Sequence, residues 1–472
     1  MSTDRPRTPG LSYSERMASL PPARTDVEWA DVRAMLAASQ RRIVVLDDDP
    51  TGTQTVHDLP VLTEWSVETL VREFEAATPV FYILTNSRSL PEREAVALNQ
   101  SIARALREAS ERTGAAFSVV SRSDSTLRGH FPAELDALES VLGKPDGWLI
   151  CPYFEEGGRY TIDDVHYVRE GDRLIPAAET PFAADPAFGY RSSNLREWIA
   201  EKSNGNISPE SVVSLSIETI RSESLEPMLA VLESLHDGRH CIINAACPHD
   251  VLRAAAAIHQ AEARGKRFMY RSAASIVAAL AGIPPAPLLD EQVFRNAEGS
   301  GVLIVVGSYV PKTTAQLEVL RQNVDCVDFE LDVDQVLDDA RRDKLLDEIV
   351  AGCRAPLAAD RPVVVYTSRR RPKDHGEKSL RVGKIVSDCL IEVVRRLDAR
   401  PRVLIAKGGI TSSDTATAGC GIRRGWVLGQ ILPGVPVWQC GPESRFPGMP
   451  LVVFPGNVGD ENSLAEAVRR TL

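Results

Sequence analysis

Short runs of consecutive apolar residues punctuate the chain from Arg42 onward, and polar or glycine-containing turns follow most of them. RIVVLD (42–47), PVFYILT (79–85), AFSVVS (116–121), GWLICP (147–152), VVSLSI (212–217) and CIINAA (241–246) show little alternation of polar and apolar positions. Such runs predict strands buried on both faces. Helical patterns such as VETLVREFEAA and PEREAVALNQSIARALREA lie between them. Strands alternating with helices predict a parallel sheet covered by helices. A second series follows: GVLIVVGS (301–308), PVVVYTS (362–368), RVLIAKGG (402–409) and PLVVFPGN (450–457).

At 472 residues the chain exceeds the roughly 250–300 that one core serves, so more than one domain is expected. AGIPPAPLLDEQ (281–292) is proline-rich and reads as a linker between the two series. The division predicted is a polar arm with a short helix over 1–40, a first domain over 41–280, the linker 281–292, and a second domain over 293–472. The fold class is α/β: two domains, each a mostly parallel sheet flanked by helices, with the active site in the cleft between them. In open parallel sheets ligands bind beyond the carboxyl ends of strands.

The formal net charge of −11 disfavours a general nucleic-acid binder, which depends on a basic face. No apolar run approaches the roughly 20 residues that span a bilayer, and the N-terminus carries no secretory h-region. The eight cysteines are scattered without a CxxC pair, so buried reduced thiols are expected rather than zinc or disulfides. A cytoplasmic protein without membrane partners follows, and a homo-oligomer is left open.

In the first half, polar groups cluster where strands stop: Asp47-Asp48-Asp49-Pro50-Thr51-Gly52-Thr53, Thr85-Asn86-Ser87-Arg88, and Ser121 to His130, SRSDSTLRGH. Arg122 and Arg128 flank Asp124, with Ser125 beside it. A polyhydroxy acid needs a guanidinium for its carboxylate and donors and acceptors for its hydroxyls. One such stretch is an ordinary capped turn. Three at successive strand ends predict a polar substrate pocket. His57 and His130 are expected to be structural.

In the second half, glycine turns precede helical patterns at GSYVPKTTAQL (307–317), AKGGITSSDTA (406–416) and FPGNVGDENSL (454–464). Free N–H groups at such turns suit phosphate. Gly456, Asn457 and Gly459 lie in the last. The first is not a Walker A loop, because Pro311 stands where that motif needs glycine, and no GxGxxG occurs in these loops. The run Ser368-Arg369-Arg370-Arg371 reads as a solvated loop within reach of phosphate.

The ordered set DDxTG, DSTLRG, GS, GGxT and GNxG, over about residues 40–472, resembles the four-carbon acid sugar kinases. The resemblance implies an N-terminal acid-sugar domain, a C-terminal ATP domain, and transfer of the γ-phosphoryl group of ATP to a hydroxyl of a small sugar acid, with Mg²⁺ expected. Carried over by position, ATP contacts fall on Ser308, Gly408, Gly409, Ile410, Thr411 and Gly456, with Asn457 beside them. Substrate contacts fall on Asp48, Asp49, Thr51, Gly52, Asp124, Ser125 and Arg128. One of Asp48, Asp49 or Asp124 would accept the hydroxyl proton. Metal-holding residues are not assigned. The extended first motif, DDDPTGTQTV, looks like the 3-oxo-isoapionate kinase branch, with 3-oxo-tetronate, threonate and erythronate as alternative acceptors. An Mg²⁺-dependent lyase or dehydratase and a non-catalytic sugar-acid sensor are the rival readings.

Overall fold

The structure is a computed structural model that describes residues 11–369 and 377–472. The chain divides into two compact units, one of residues up to Asp48 together with Trp65–Pro285, the other of Asp49–Glu64 together with Ala286–Leu472. The chain therefore leaves the first unit between Asp48 and Asp49, inside the first polar stretch, and returns at Trp65. Sequence reading had kept that excursion in the first domain.

In the first unit, Val213–Leu215, Arg239–Ile243, Gly147–Cys151, Phe268–Ser272, Phe117–Arg122, Arg42–Asp47 and Val80–Leu84 pair in that order, all parallel. Ile43 to Leu46 are buried, as an unbroken apolar run requires when helices cover both faces. The register sets Asp47 beside Leu84 and Arg122, and Arg122 beside Ser272, so these strands end level with one another. A small antiparallel sheet, Leu11–Ser12, Arg173–Pro176, Val165–Glu170 and Arg159–Ile162, belongs to the same unit and was not anticipated. The arm beyond residue 10 is built in rather than loose: Leu11–Ser12 pairs with that sheet, and Val32 and Leu36 of the helix Trp29–Ser39 are buried.

In the second unit, Val327–Leu331, Val363–Thr367, Val302–Val306, Val403–Lys407 and Pro450–Phe454 form a parallel series. Val435–Gln439, Arg424–Leu432 and Leu59–Leu62 extend it antiparallel, the last strand coming from the excursion. Val306 and Phe454 are the register partners of Lys407, so the three turns that follow these strands start side by side. Leu303 to Val306 are fully buried. All eight cysteines are free thiols, and no described helix is long and apolar enough to cross a membrane.

Candidate functional site

The level strand ends of the first unit gather carboxylates and guanidiniums into a buried cluster. Arg122 Nη1 lies 3.1 Å from Asp47 Oδ1 and 3.9 Å from Asp48 Oδ1. Arg88, from the second polar stretch, lies 3.8 Å from Asp48 and 3.3 Å from Asp124. Ser123 Oγ donates to Asp48 Oδ2 at 2.8 Å, while Asp48 Oδ1 is buried without a hydrogen-bond donor. Burial pushes the Asp48 carboxyl up, and Arg88 and Arg122 only partly offset it. Burial also acts on Asp124, but Arg88 and Arg128 outweigh it and hold that carboxyl well below the ordinary range.

The turn after Arg122 is shaped for this contact. Gly129 has φ +124°, and a Cβ there would stand 2.6 Å from both Arg271 Nη2 and Ser123 Oγ. Arg128 Nε donates to Asp124 Oδ2 at 2.7 Å, and Nη1 lies 3.6 Å from Asp185. Thr126 also donates to Asp124. The guanidiniums of Arg128 and Arg159 lie over the Phe182 ring, 5.2 and 5.3 Å from its centroid. His166 binds the Ser125 carbonyl at 2.8 Å through Nε2, which must therefore carry the proton, and accepts from Thr161 at Nδ1. Burial drives its pKa down to about 4, consistent with a neutral ring.

Beneath the cluster Arg271 donates to Glu134 at 2.8 Å and to Ser121 at 3.0 Å, and Ser87 donates to Glu134. Both partners of the Arg271–Glu134 pair are buried. Leaving either alone in such a pair typically costs about 3–5 kcal/mol, so the network holds the strand ends in place.

In the second unit the three glycine turns converge on Ser308. A Cβ on Gly408 would stand 2.9 Å from Ser308 Cβ, and one on Gly456 would stand 3.1 Å from Ser308 Oγ. A Cβ on Gly307 would collide with Thr411 Oγ1. The helix Pro311–Asn323, with proline in its first turn, fastens the last turn: Thr313 donates to the Gly456 carbonyl at 3.1 Å, Lys312 to Gly459 at 2.9 Å, and Gln316 to Val458 at 3.1 Å. Arg369 donates to the Ser308 carbonyl and to Thr314, and is half-buried rather than solvated; Arg370 and Arg371 lie outside the described residues.

The predicted residues thus fall into separate groups. Asp48, Asp124, Arg122 and Arg128 meet in the first unit, with the Ser125 carbonyl held by His166. Asp49, Thr51 and Gly52 belong to the second unit: Asp49 accepts from Thr51 N at 2.9 Å and Thr51 Oγ1 at 2.6 Å, and its Oδ2 lies 3.2 Å from a Gly409 Cβ position. Ser308, Gly408, Thr411 and Gly456 meet there as well, whereas Ile410 and Asn457 are exposed. The hydroxyls after Gly409 lie inside a helix, Gly409–Asp414, rather than before it, and the helix after Gly456 starts only at Ser463. His57 pairs with Asp58, and His130 contacts the Leu90 carbonyl.

Sequence reading named Arg88 only as part of a stretch and missed Arg159, Glu134, His166, Arg271 and Lys407. Arg271 lies next to last in a strand, Phe268–Ser272, whose mixed composition gave no apolar run to signal it.

Residues 43–280 match a family described as a sugar-binding N-terminal domain, and residues 303–464 one described as a nucleotide-binding C-terminal domain. A D-threonate kinase of Bordetella bronchiseptica is 31% identical over 161 residues, 32% of this chain and 38% of that kinase. A D-erythronate kinase of Heliobacterium modesticaldum is 24% identical over 65% of this chain and 66% of its own length. These two matches take in less than two thirds of either kinase. A D-threonate kinase of Salmonella typhimurium is 25% identical over 90% of this chain and 97% of its own length. Solved structures of a Salmonella typhimurium LT2 protein (TM-score 0.66, 18% identity, 90% of this chain and 98% of that one) and of Haemophilus influenzae protein HI1011 (0.59, 19%, 91% and 100%) share the fold. With both domain matches in order along most of its length, the chain belongs to the four-carbon acid sugar kinase family.

Proposed function

We propose that the protein transfers the γ-phosphoryl group of ATP to a hydroxyl of a small sugar acid. The observation that carries this reading is the meeting of three glycine turns around Ser308, packed so closely on Ser308 and Thr411 that a side chain at Gly307 or Gly408 would collide; glycine turns gathered in this way suit phosphate. The buried acid–arginine cluster of the first unit supports the acceptor side. There Arg128 and Arg159, sharing the Phe182 ring, receive the substrate carboxylate, with Ser125 beside them for its hydroxyls. A guanidinium fork suits a carboxylate better than an ammonium does.

In the reaction the acceptor hydroxyl oxygen attacks the γ-phosphorus in line, the bond to the β–γ bridging oxygen breaks, and ADP leaves. Asp48 takes the hydroxyl proton, since its Oδ1 is the buried acceptor left without a donor. Arg88 and Arg122 steady its orientation. Among the described residues no group of three or more acidic, histidine or cysteine side chains could cage a metal. Mg²⁺ would be held mainly by the nucleotide phosphates, with Asp49 the carboxylate placed beside Gly409. The ion would supply charge neutralisation on the phosphates.

Within this class we infer 3-oxo-isoapionate as the acceptor, phosphorylated to 3-oxo-isoapionate 4-phosphate, on the extended first motif from Asp47 to Val56. The curated relatives favour D-threonate or D-erythronate as the second reading. Release of ADP with ATP, Mg²⁺ and a panel of these acids tests both levels. Turnover of one acid over the others selects the substrate. Binding without turnover of any would favour a sensor, and conversion without ATP a lyase or dehydratase.

A further inference from the structure

Lys407 ends a fully buried strand and is itself fully buried. Its ammonium donates to the Pro455 carbonyl at 2.6 Å and lies 3.4 Å from the Gly456 carbonyl. The Phe454 ring lies 4.0 Å from it, centroid to nitrogen. Gly408 follows it directly. The ammonium therefore sits at the root of two of the three turns that meet at Ser308.

What the ammonium lacks is a counter-ion. Among the described residues no carboxylate lies within ion-pair distance of Lys407. Its register partners, Val306 and Phe454, are apolar. Lys312, on the helix Pro311–Asn323, is the charged group whose field reaches it, and that field is repulsive. Arg369 is engaged at the Ser308 carbonyl, and Asp49 stands at Gly409. A buried charge is ordinarily paired, because removing an ion from water costs several kcal/mol. Carbonyl dipoles and a ring only partly replace water. An anion arriving at the glycine turns would complete the arrangement.

We propose that Lys407 is a positioning residue of the nucleotide site, clamping the Pro455–Gly456 turn and setting a buried positive charge beneath the phosphates. The inference rests on the reading of this unit as the ATP-binding one. It assigns Lys407 a role through the turn and through its field, since the ammonium is fully buried against the Pro455 and Gly456 carbonyls. Burial, reinforced by Lys312, lowers its pKa to about 7. Phosphate charges would raise that value, and nucleotide binding above neutral pH would draw a proton into the protein.

Lys407→Gln separates charge from clamp, because an amide keeps donors for the carbonyls and loses the charge. ATP, ADP and adenosine binding are measured by titration calorimetry on wild type and variant, with circular dichroism as the check on folding. The variant should lose ATP and ADP affinity by about ten- to a hundredfold, the size of one charged interaction, and keep adenosine affinity. At pH 8, where nucleotide phosphates are already ionised, repeated titrations in buffers of different ionisation enthalpy should show proton uptake approaching one per site in wild type and none in the variant. Unchanged ATP affinity overturns the proposal, and so does an equal loss for adenosine, which marks a scaffold only. Lys407→Met replaces the variant if the amide does not fold, and absence of proton uptake in wild type overturns the idea without any variant. A wild type that binds no nucleotide fails the ATP reading instead.

Discussion

Gly408 and Gly456 both face Ser308, yet their substitution by alanine should have unequal effects. Gly408 has φ +122° and ψ 144°, a region essentially reserved to glycine, and its Cβ would stand 2.9 Å from Ser308 Cβ and 3.1 Å from Thr411 Oγ1. Forcing a side chain into such a conformation costs about 1–3 kcal/mol before the collision with Ser308 is counted. The strand behind it cannot yield, because Val403 to Ala406 and Lys407 are fully buried. The turn must move instead, and the strain appears as lost ATP affinity, about fivefold to 150-fold at 1.4 kcal/mol per decade. Gly456 carries no positive φ, and its Cβ would meet Ser308 Oγ at 3.1 Å, with Val310 Cγ2 at 3.6 Å and Ser308 Cβ at 3.9 Å in ordinary contact. The Ser308 hydroxyl, which accepts from Thr313, need only shift by a few tenths of an ångström, at about 1 kcal/mol or less. Gly456→Ala should therefore weaken ATP by less than about fivefold, whereas Gly456→Val adds branches beside Ser308 and should abolish binding. Calorimetric titration of each variant with ATP, with the sugar acid as a control ligand, gives the ranking. A Gly408→Ala protein that binds ATP as tightly as wild type refutes the argument.

Asp48→Asn keeps an acceptor for Ser123 and removes the base; kcat should fall about 10²- to 10⁴-fold with sugar-acid affinity nearly unchanged, and a loss under tenfold would remove Asp48 from that role. Arg128→Lys keeps the charge over Phe182 and loses the fork to Asp124, so KM for the acid should rise about ten- to a hundredfold with KM for ATP unchanged; an unaltered KM returns Arg128 to shaping the turn. Asp124 has a folded-state pKa below its ordinary 3.8, so its stabilising contribution is complete above that value and is lost as pH falls through the folded one. Denaturant unfolding from pH 6 to 2 should show Asp124→Asn less stable at pH 6 by about 3 kcal/mol or more, and flatter with pH below 4; parallel curves would show that Arg88 and Arg128 do not hold that carboxyl.

The parts of this molecule legible in its sequence are those governed by local pattern. Unbroken apolar runs such as Arg42–Asp47 and Val302–Val306 announce doubly covered strands, and the polar residues after them mark the candidate site. Pairings between distant segments leave no such trace. Leu59–Leu62 joins the second unit because it pairs with Arg424 to Val427, and nothing near Leu59 encodes that partner. Arg271 and Glu134 are each improbable inside a core and become acceptable only together. Lys407 reads as a strand residue, and only the fold shows that its ammonium meets the Pro455 carbonyl. Sequence identifies which polar residues follow strands; it does not show which charge each of them answers.

The three adjacent carboxylates after the first strand show how that matters. Two unit charges about 4 Å apart repel by about 4 kcal/mol at an effective dielectric near 20. The fold relieves this by giving each aspartate a different environment. Asp47 pairs with Arg122, its neighbour across the strand register. Asp48 accepts from Ser123 and keeps one oxygen without a donor. Asp49, with extended backbone, turns its carboxylate to the Thr51 amide and hydroxyl and caps the next turn. The chain passes from one compact unit to the other between Asp48 and Asp49. One peptide bond thus separates the carboxylate assigned to the acceptor hydroxyl from the carboxylate beside the glycine turns. A motif that looks redundant as a string of like charges is three separate devices: an anchor for a strand end, a buried carboxylate with one oxygen left without a donor, and a cap on the loop that enters the second unit.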